Sequence, residues 1–478
     1  MKLPALSWSH LSFATVASAI LFFFSLRVEE PIGWLLWVAP IPVLMTALQA
    51  RAVQTLLVAF LAHFAGRLSL MFFLWHLLPP ALAILLTVMI AVVYALVVAA
   101  FRQVARFQSP WAAVLAYPVL MTAAEFVTAQ LSYDGTAGST AYSQSNYITV
   151  IQLASFGGIW AIVFFTGLIP SAIVMMLYYR NSRFRQTTAA LVSLGLLLAA
   201  GLYCISHQFQ QSAGEADQVA LICEVERLHP IHVAEPSARN QLLEGYTRLI
   251  GQAADQGADI VLFPEKVFTV RTSEKDSLIR ALHAVASSHR LTLIGGLAVL
   301  GDTSWHNLAV LIGPDGHYEE YQKNFHVQGW EDRFVSGGVP GILSLSNPSA
   351  GLAVCKDLDY PTWMRQYALV NVLYVPAWDF TTDGWLHSRM AILRGVENGY
   401  NIVRAARQGR LTVSDGKGNV LAESSTEDGQ SALLLASVPR MSSPTLYSQY
   451  GDWIGWGCGL LALTFLAFAR RTELPGTS

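Results

Sequence analysis

"GLAVCKDLDYP", residues 351–361, opens as a short apolar run and stops abruptly at a cysteine followed by Lys356 and Asp357. The pattern is that of a buried strand with a thiol standing at its end. Alone, such a cysteine is a small buried hydrophobe, one of the most frequently buried residue types. In layered α/β domains, however, sites form where strands finish, so the neighbouring strand ends carry the next information. "DIVLFPE" closes an apolar run with Glu265, and "YEEYQK" closes another with Lys323.

A carboxylate, an ammonium and a thiol have a joint chemical use. Glu265 can take the thiol proton, Lys323 can lower the thiol pKa and stabilise a tetrahedral oxyanion, and Cys355 can attack an ester, amide or nitrile carbon. The four cysteines, Cys204, Cys223, Cys355 and Cys458, show no CxxC spacing and no histidine at metal-ligand intervals. They indicate neither a zinc site nor a disulfide framework, and no cofactor is expected.

Around these residues, positions 210 to 450 have ordinary soluble composition and alternate strands with helices. "QVALICEV", "ADIVLFPE", "LTLIGGLAVL", "GLAVC" and "VNVLYVPA" are expected strands, with helices at 236–256, 274–289 and about 385–399. "HNLAVLIGPDGHYEEYQK" has the form of a hairpin about a PDG turn. This is an α/β layered domain.

The rest of the chain is different. Across 478 residues 53% are hydrophobic and 13% charged, against roughly 25% charged in a soluble domain. Apolar stretches at roughly 11–26, 33–50, 53–75, 80–101, 111–131, 159–179 and 187–205, with an eighth at 453–469, suit about eight transmembrane helices. With Lys2 on the cytoplasmic side, the cytoplasmic connections gather Arg51, Arg102, Arg106, Arg180, Arg183, Arg185, Arg470 and Arg471. That bias places the inserted domain outside the cytoplasm. A formal net charge of -2 gives no reason to expect nucleic acid as a partner. Within the spans, Arg67, Glu125 and Gln130 are costly and need partners, and Arg67 and Glu125 are candidates for a pair. Trp34, Trp75, Trp111, Tyr178 and Trp453 suit an interfacial aromatic belt.

"DIVLFPE", "YQK" and "GLAVC", in that order, resemble the three signature segments of the nitrilase, or carbon-nitrogen hydrolase, superfamily. With the membrane segments, the chain resembles within it the apolipoprotein N-acyltransferase family. "WLHSRMAILRGVENGYNIVRAARQGRLTVSDGKGNVL", "TLYSQYGDW" and "AYSQSNYITVIQLASFGGIWAIVFF" are similar to family segments as well. The resemblance implies an α-β-β-α sandwich and a bacterial inner-membrane enzyme whose catalytic domain, 209–450, faces the periplasm. Seven helices would lie in 1–208, with an eighth helix and a short cytoplasmic tail in 451–478. It further implies Glu265 as general base, Lys323 as oxyanion stabiliser and Cys355 as nucleophile, with Glu331, Asp357 and Trp378 in supporting positions. The donor would be a phospholipid and the acceptor an apolipoprotein.

The pocket departs from the family more than the scaffold does. Lys266 and Val267 stand where Thr-Ala is usual, and "KNFHVQGWEDRF" lacks the loop proline. Lys356 and Asp357 replace an aromatic residue and Glu, and "AWDF" replaces Ala-Trp-Phe-Gly. Lys356 is a candidate for lowering the thiol pKa further. Trp330, Phe334, Trp378 and Trp385 are candidates either for a lid over acyl chains or for the core. Two other readings remain open: a membrane-tethered amidase or nitrilase that passes its acyl group to water, and a catalytically silent scaffold.

Overall fold

The computed structural model describes residues 6–107, 109–179, 182–189, 192, 195, 201, 216–224, 235–343, 349–440 and 443–470. The chain divides into two compact units, Met1–Ile205 with Asp452–Ser478, and Ser206–Gly451.

In the first unit, among the described residues, four helices are long and apolar enough to cross a membrane: Trp8–Ser25, Pro80–Arg106, Pro110–Leu131 and Ile159–Tyr178. A fifth span is made if Ala52–Gly66 and Leu68–Leu77, bent by 55° at Arg67, count as one. The apolar run at 33–50 is divided into Gly33–Trp37 and Ile41–Gln49. Pro40, which lacks an N–H to continue a helix, stands between them. The run at 187–205 lies mostly outside the described residues, and the last apolar run forms the helix Trp453–Arg470.

Among the described residues no direct salt bridge joins Arg67 to Glu125, although their charges act on each other. Glu125 instead accepts from the Ser139 hydroxyl at 2.7 Å and from the Thr140 hydroxyl and N–H at 2.6 and 3.1 Å. These donors come from the segment after its own helix, and the Arg67 charge acts on the carboxylate without a hydrogen bond.

The second unit is a sandwich of two sheets. We label its strands β1 (Ala216–Cys223), β2 (Ile260–Leu262), β3 (Phe268–Arg271), β4 (Thr292–Leu300), β5 (Trp305–Ile312) and β6 (Tyr318–Gln322). Then come β7 (Gly341–Ile342), β8 (Ala350–Leu352), β9 (Val372–Trp378), β10 (Asn401–Arg407), β11 (Arg410–Ser414), β12 (Val420–Ser425) and β13 (Ala432–Pro439). One sheet runs β13-β1-β2-β4-β5-β6, with β3 beside β4, and the other β12-β11-β10-β9-β8-β7.

The central pairs β1–β2, β2–β4, β8–β9 and β9–β10 are parallel. Strands covered on both faces have no solvent side to alternate toward, which is why "LTLIGGLAVL" and "LYVPA" are nearly continuous apolar runs. Val219, Leu221, Leu262 and Ile294 from the first sheet meet Leu352, Tyr374, Val403 and Leu411 from the second in one core. On the outer face of the first sheet, the helices Pro236–Asp255 and Lys275–His289 contribute Tyr246, Ile250, Leu278 and Leu282 to a second core. The helix Gly384–Asn398 covers the other sheet, with Ala391 packed among Leu373, Val375 and Ile402. The layers are therefore helix, sheet, sheet, helix.

Parallel strands point their C-terminal ends the same way, so the segments after β2, β8 and β9 converge. Glycine permits the closest approach. A Cβ on Gly296 of β4 would stand 2.3 Å from Glu265 Cα and 2.4 Å from the Lys266 nitrogen. Gly296→Ala is expected to lower stability by about 1–3 kcal/mol, the usual cost of overpacking. A thermal unfolding midpoint equal to that of the parent protein would show that the segment after β2 has room to retreat.

Candidate active site

Glu265 and Lys323 are almost fully buried, and Glu331, eight residues beyond the lysine, is 2% exposed. Lys323 Nζ lies 2.9 Å from Glu265 Oε1 and 2.8 Å from Glu331 Oε2. Asn307 on β5 donates from Nδ2 to Glu265 Oε1 at 2.6 Å and to Glu331 Oε1 at 3.0 Å. The Val327 N–H donates to Glu331 Oε2 at 2.9 Å. Buried charges persist only when paired and hydrogen-bonded, and here each carboxylate has at least two donors.

Burial alone would raise the Glu265 carboxyl, but Lys323 and Lys266 beside it outweigh burial and hold it below the ordinary carboxylate range. The same opposition, won by the same two lysines, holds Glu331 low. Lys323 is held well above its ordinary value, because Glu265 and Glu331 outweigh the burial that opposes its charge.

Cys355 begins the one-turn helix Cys355–Asp359 directly after β8 and sits in the left-handed region, φ 43°. Such a conformation costs a non-glycine residue about 1–3 kcal/mol and is retained where the surroundings enforce it. Lys266, Thr381 and Gln408, at φ 51°, 68° and 52°, are strained in the same way.

The Cys355 thiol lies 3.5 Å from the Trp378 carbonyl oxygen. Its pKa is pushed well up, first by burial and then by the Glu265 and Asp379 charges, which Lys323 and Arg404 do not offset. The expectation that a neighbouring ammonium gives a low thiol pKa is corrected accordingly: desolvation exceeds the effect of Lys323. Lys356 pairs with Asp359 Oδ2 at 3.4 Å.

Asp357 locks the strand end to the lysine loop. Its Oδ1 accepts from the Asn324 and Phe325 N–H groups at 3.1 and 2.9 Å. Its Oδ2 accepts from the Val354 N–H at 2.9 Å and the Tyr321 hydroxyl at 2.8 Å. One carboxylate thus ties the segment leading into Cys355 to both sides of Lys323.

Two cations lie over the Trp378 ring, Lys266 at 5.1 Å and Arg407 at 4.3 Å, and its Nε1 donates to Gln408 Oε1 at 2.9 Å. Of the aromatic lid candidates, Trp330 is 55% exposed and contacts Phe380, with ring centroids 5.7 Å apart, whereas Trp385 is buried in the domain.

Behind Trp378 stands a charge network that the sequence did not suggest. Arg404 grips Asp379 through both terminal nitrogens at 2.5 and 3.0 Å. His387 lies 3.0 Å from Asp383 and 3.6 Å from Asp379. Three of these groups, Asp379, Asp383 and His387, are close enough to hold a metal ion, and both oxygens of Asp379 already accept from Arg404.

Asn307 was also missed. It sits inside the strand "HNLAVLI" rather than at its end, and the available signal was a single amide within an otherwise apolar buried strand.

Two family models match the chain in succession: the apolipoprotein N-acyltransferase N-terminal domain over residues 5–172 and the carbon-nitrogen hydrolase domain over residues 229–440. An apolipoprotein N-acyltransferase of Geobacter metallireducens is 24% identical over 404 residues, 75% of each chain. One from Pseudomonas paraeruginosa is 24% identical over 67% of this chain and 66% of its own. Among solved structures, an amidase from Nesterenkonia sp. is similar at 23% identity and a TM-score of 0.40, over 50% of this chain and 96% of that one. The chain belongs to the carbon-nitrogen hydrolase superfamily, in the branch that carries an N-terminal membrane unit. Its family there is that of the apolipoprotein N-acyltransferases.

His387 gives the site region a pH signature. Burial would lower its pKa, but Asp383 and Asp379 outweigh that and raise it to about 9 from an ordinary 6.5. A raised folded-state pKa stabilises the fold fully below the unfolded value, and the contribution is lost as pH rises through the folded one. Stability is therefore expected to fall between about pH 6.5 and pH 9, and His387→Asn is expected to flatten that fall. Parallel pH-stability curves for the two proteins would rule out the assignment.

Proposed function

We propose that the protein is a multi-pass enzyme of a bacterial inner membrane that moves a fatty acyl group from a phospholipid to an amine. The acceptor on this reading is the N-terminal diacylglyceryl-cysteine of an apolipoprotein. Residues 209–450 form the catalytic domain, facing the periplasm, and about eight helices in 1–208 and 451–478 hold it at the lipid surface. The observation that carries the reading is the buried Glu265–Lys323 pair, 2.9 Å apart, whose charges both act on the Cys355 thiol. Family membership and the positive charge on the cytoplasmic loops support the rest.

The resting thiol is protonated and Glu265 is ionised, so proton transfer accompanies attack. Cys355 Sγ forms a bond to the ester carbonyl carbon while its proton passes to Glu265. Lys323 and nearby backbone N–H groups hold the oxyanion. Collapse breaks the ester C–O bond; the lysophospholipid leaves with the proton from Glu265, and an acyl thioester remains on Cys355. The acceptor amine then attacks the thioester carbonyl, Glu265 takes the amine proton, the C–S bond breaks, and the thiolate recovers that proton. Asp357, Glu331 and Trp378 keep these groups in place. No cofactor enters the sequence of bonds.

Incubation of detergent-purified protein with mixed phospholipids is expected to add one acyl mass, removable by hydroxylamine, and Cys355→Ala is expected to stay unmodified. An adduct persisting in folded Cys355→Ala would displace Cys355 as nucleophile. A wild-type protein that releases free fatty acid from the same lipids, with no amine acceptor used, would favour the hydrolase.

A further inference from the structure

Lys266 directly follows Glu265, and its left-handed backbone, φ 51°, accompanies a side chain directed into the site. Its Nζ reaches Glu331 Oε1 at 2.5 Å and Glu265 Oε1 at 3.5 Å, over the rings of Trp378 at 5.1 Å and Phe334 at 5.4 Å. Only 9% of the residue is exposed. By the family resemblance Thr is usual at this place, where this chain carries an ammonium.

Charge counting gives it a role. Glu265 and Glu331 share one Asn307 amide and one Lys323 ammonium. With Lys323 as the sole cation, two buried carboxylates would leave the site one unit negative. Like charges sharing donors in a dry pocket retain a proton between them. Lys266 brings the count to zero.

We propose that Lys266 is a positioning residue that keeps both carboxylates ionised, leaving Glu265 free to accept the Cys355 proton. This rests on Glu265 acting as the base. The other groups facing Glu265 are Lys323, Glu331, Cys355 and His326, and His326 is held below its ordinary value by burial and by Lys323. Asp379 and Arg404 act on the thiol from the β9 and β10 side.

The test needs no acyl donor, so it stands apart from the identity of the lipid. Alkylation of Cys355 by iodoacetamide forms an Sγ–C bond, breaks C–I, releases iodide and sends the thiol proton to Glu265. Its rate is measured at the Cys355 peptide by mass spectrometry, in the intact protein in detergent, from pH 2 to 9, a window that reaches below the lowered Glu265 carboxyl. Lys266→Met is expected to move the acidic limb up by about one pH unit, the low end of what an opposite charge at this range does. Lys266→Arg is expected to restore the limb. The double variant Lys266→Met/Glu331→Gln, neutral again, is expected to return it toward wild type. Glu331→Gln alone is expected to move it down, which keeps the test available if Lys266→Met does not fold. A limb that stays in place in Lys266→Met, with the rate merely reduced at every pH, overturns the proposal. A wild-type limb untouched by Glu265→Gln overturns it together with the role of Glu265 as base.

Discussion

Two carboxylates and two ammoniums buried against one another set the terms for the two-sheet sandwich. Placing Glu265, Glu331, Lys323 and Lys266 out of water is tolerable only if each charge meets an opposite one and the remaining lone pairs find donors. That requirement reaches outward. It calls for an amide inside β5, for a turn that aims the Val327 N–H at Glu331, and for a glycine in β4 that lets the segment after β2 come within reach. It also explains why a carboxylate can sit in an apolar sandwich and still be ionised.

The thiol is treated in the opposite way. No compensating ion pair holds it as a thiolate; burial and two carboxylates keep it protonated, and the backbone at Cys355 is held under strain. In the role proposed for it, such a thiol is made reactive by proton removal at the moment of attack. The Asp357 lock, with two oxygens accepting from three backbone N–H groups and a tyrosine, is what prevents the strained turn from relaxing.

Most of the sandwich was legible in the sequence because strands covered on both faces write themselves as unbroken apolar runs, and because "LFPE", "YQK" and "GLAVC" each place a polar residue where such a run stops. Glu331 was legible only through the family's loop. Asn307 and the Arg404–Asp379–His387–Asp383 network were not, since each member lies within an element or at a distant position and acquires meaning only when β5, β9 and β10 are laid side by side. Lys266 was visible as a departure, but its contacts with Glu331, Trp378 and Phe334 depend on a left-handed turn that lysine does not announce. In the membrane unit, hydropathy marked the apolar runs but not the break at Pro40 or the 55° bend at Arg67, because both are local backbone events inside stretches of uniform composition.

The pairing of β1 with β13 has a further meaning. Ala216, where the first strand begins, stands opposite Pro439, where the last one ends, and the two run antiparallel for eight consecutive partners. Both ends of the domain therefore leave by the same doorway. A module built this way makes little demand on the chain that hosts it: it can be spliced between two helices as a loop would be, and its sandwich closes on itself before the chain moves on. Such geometry lets a hydrolase fold be recruited to a membrane without redesign of its core.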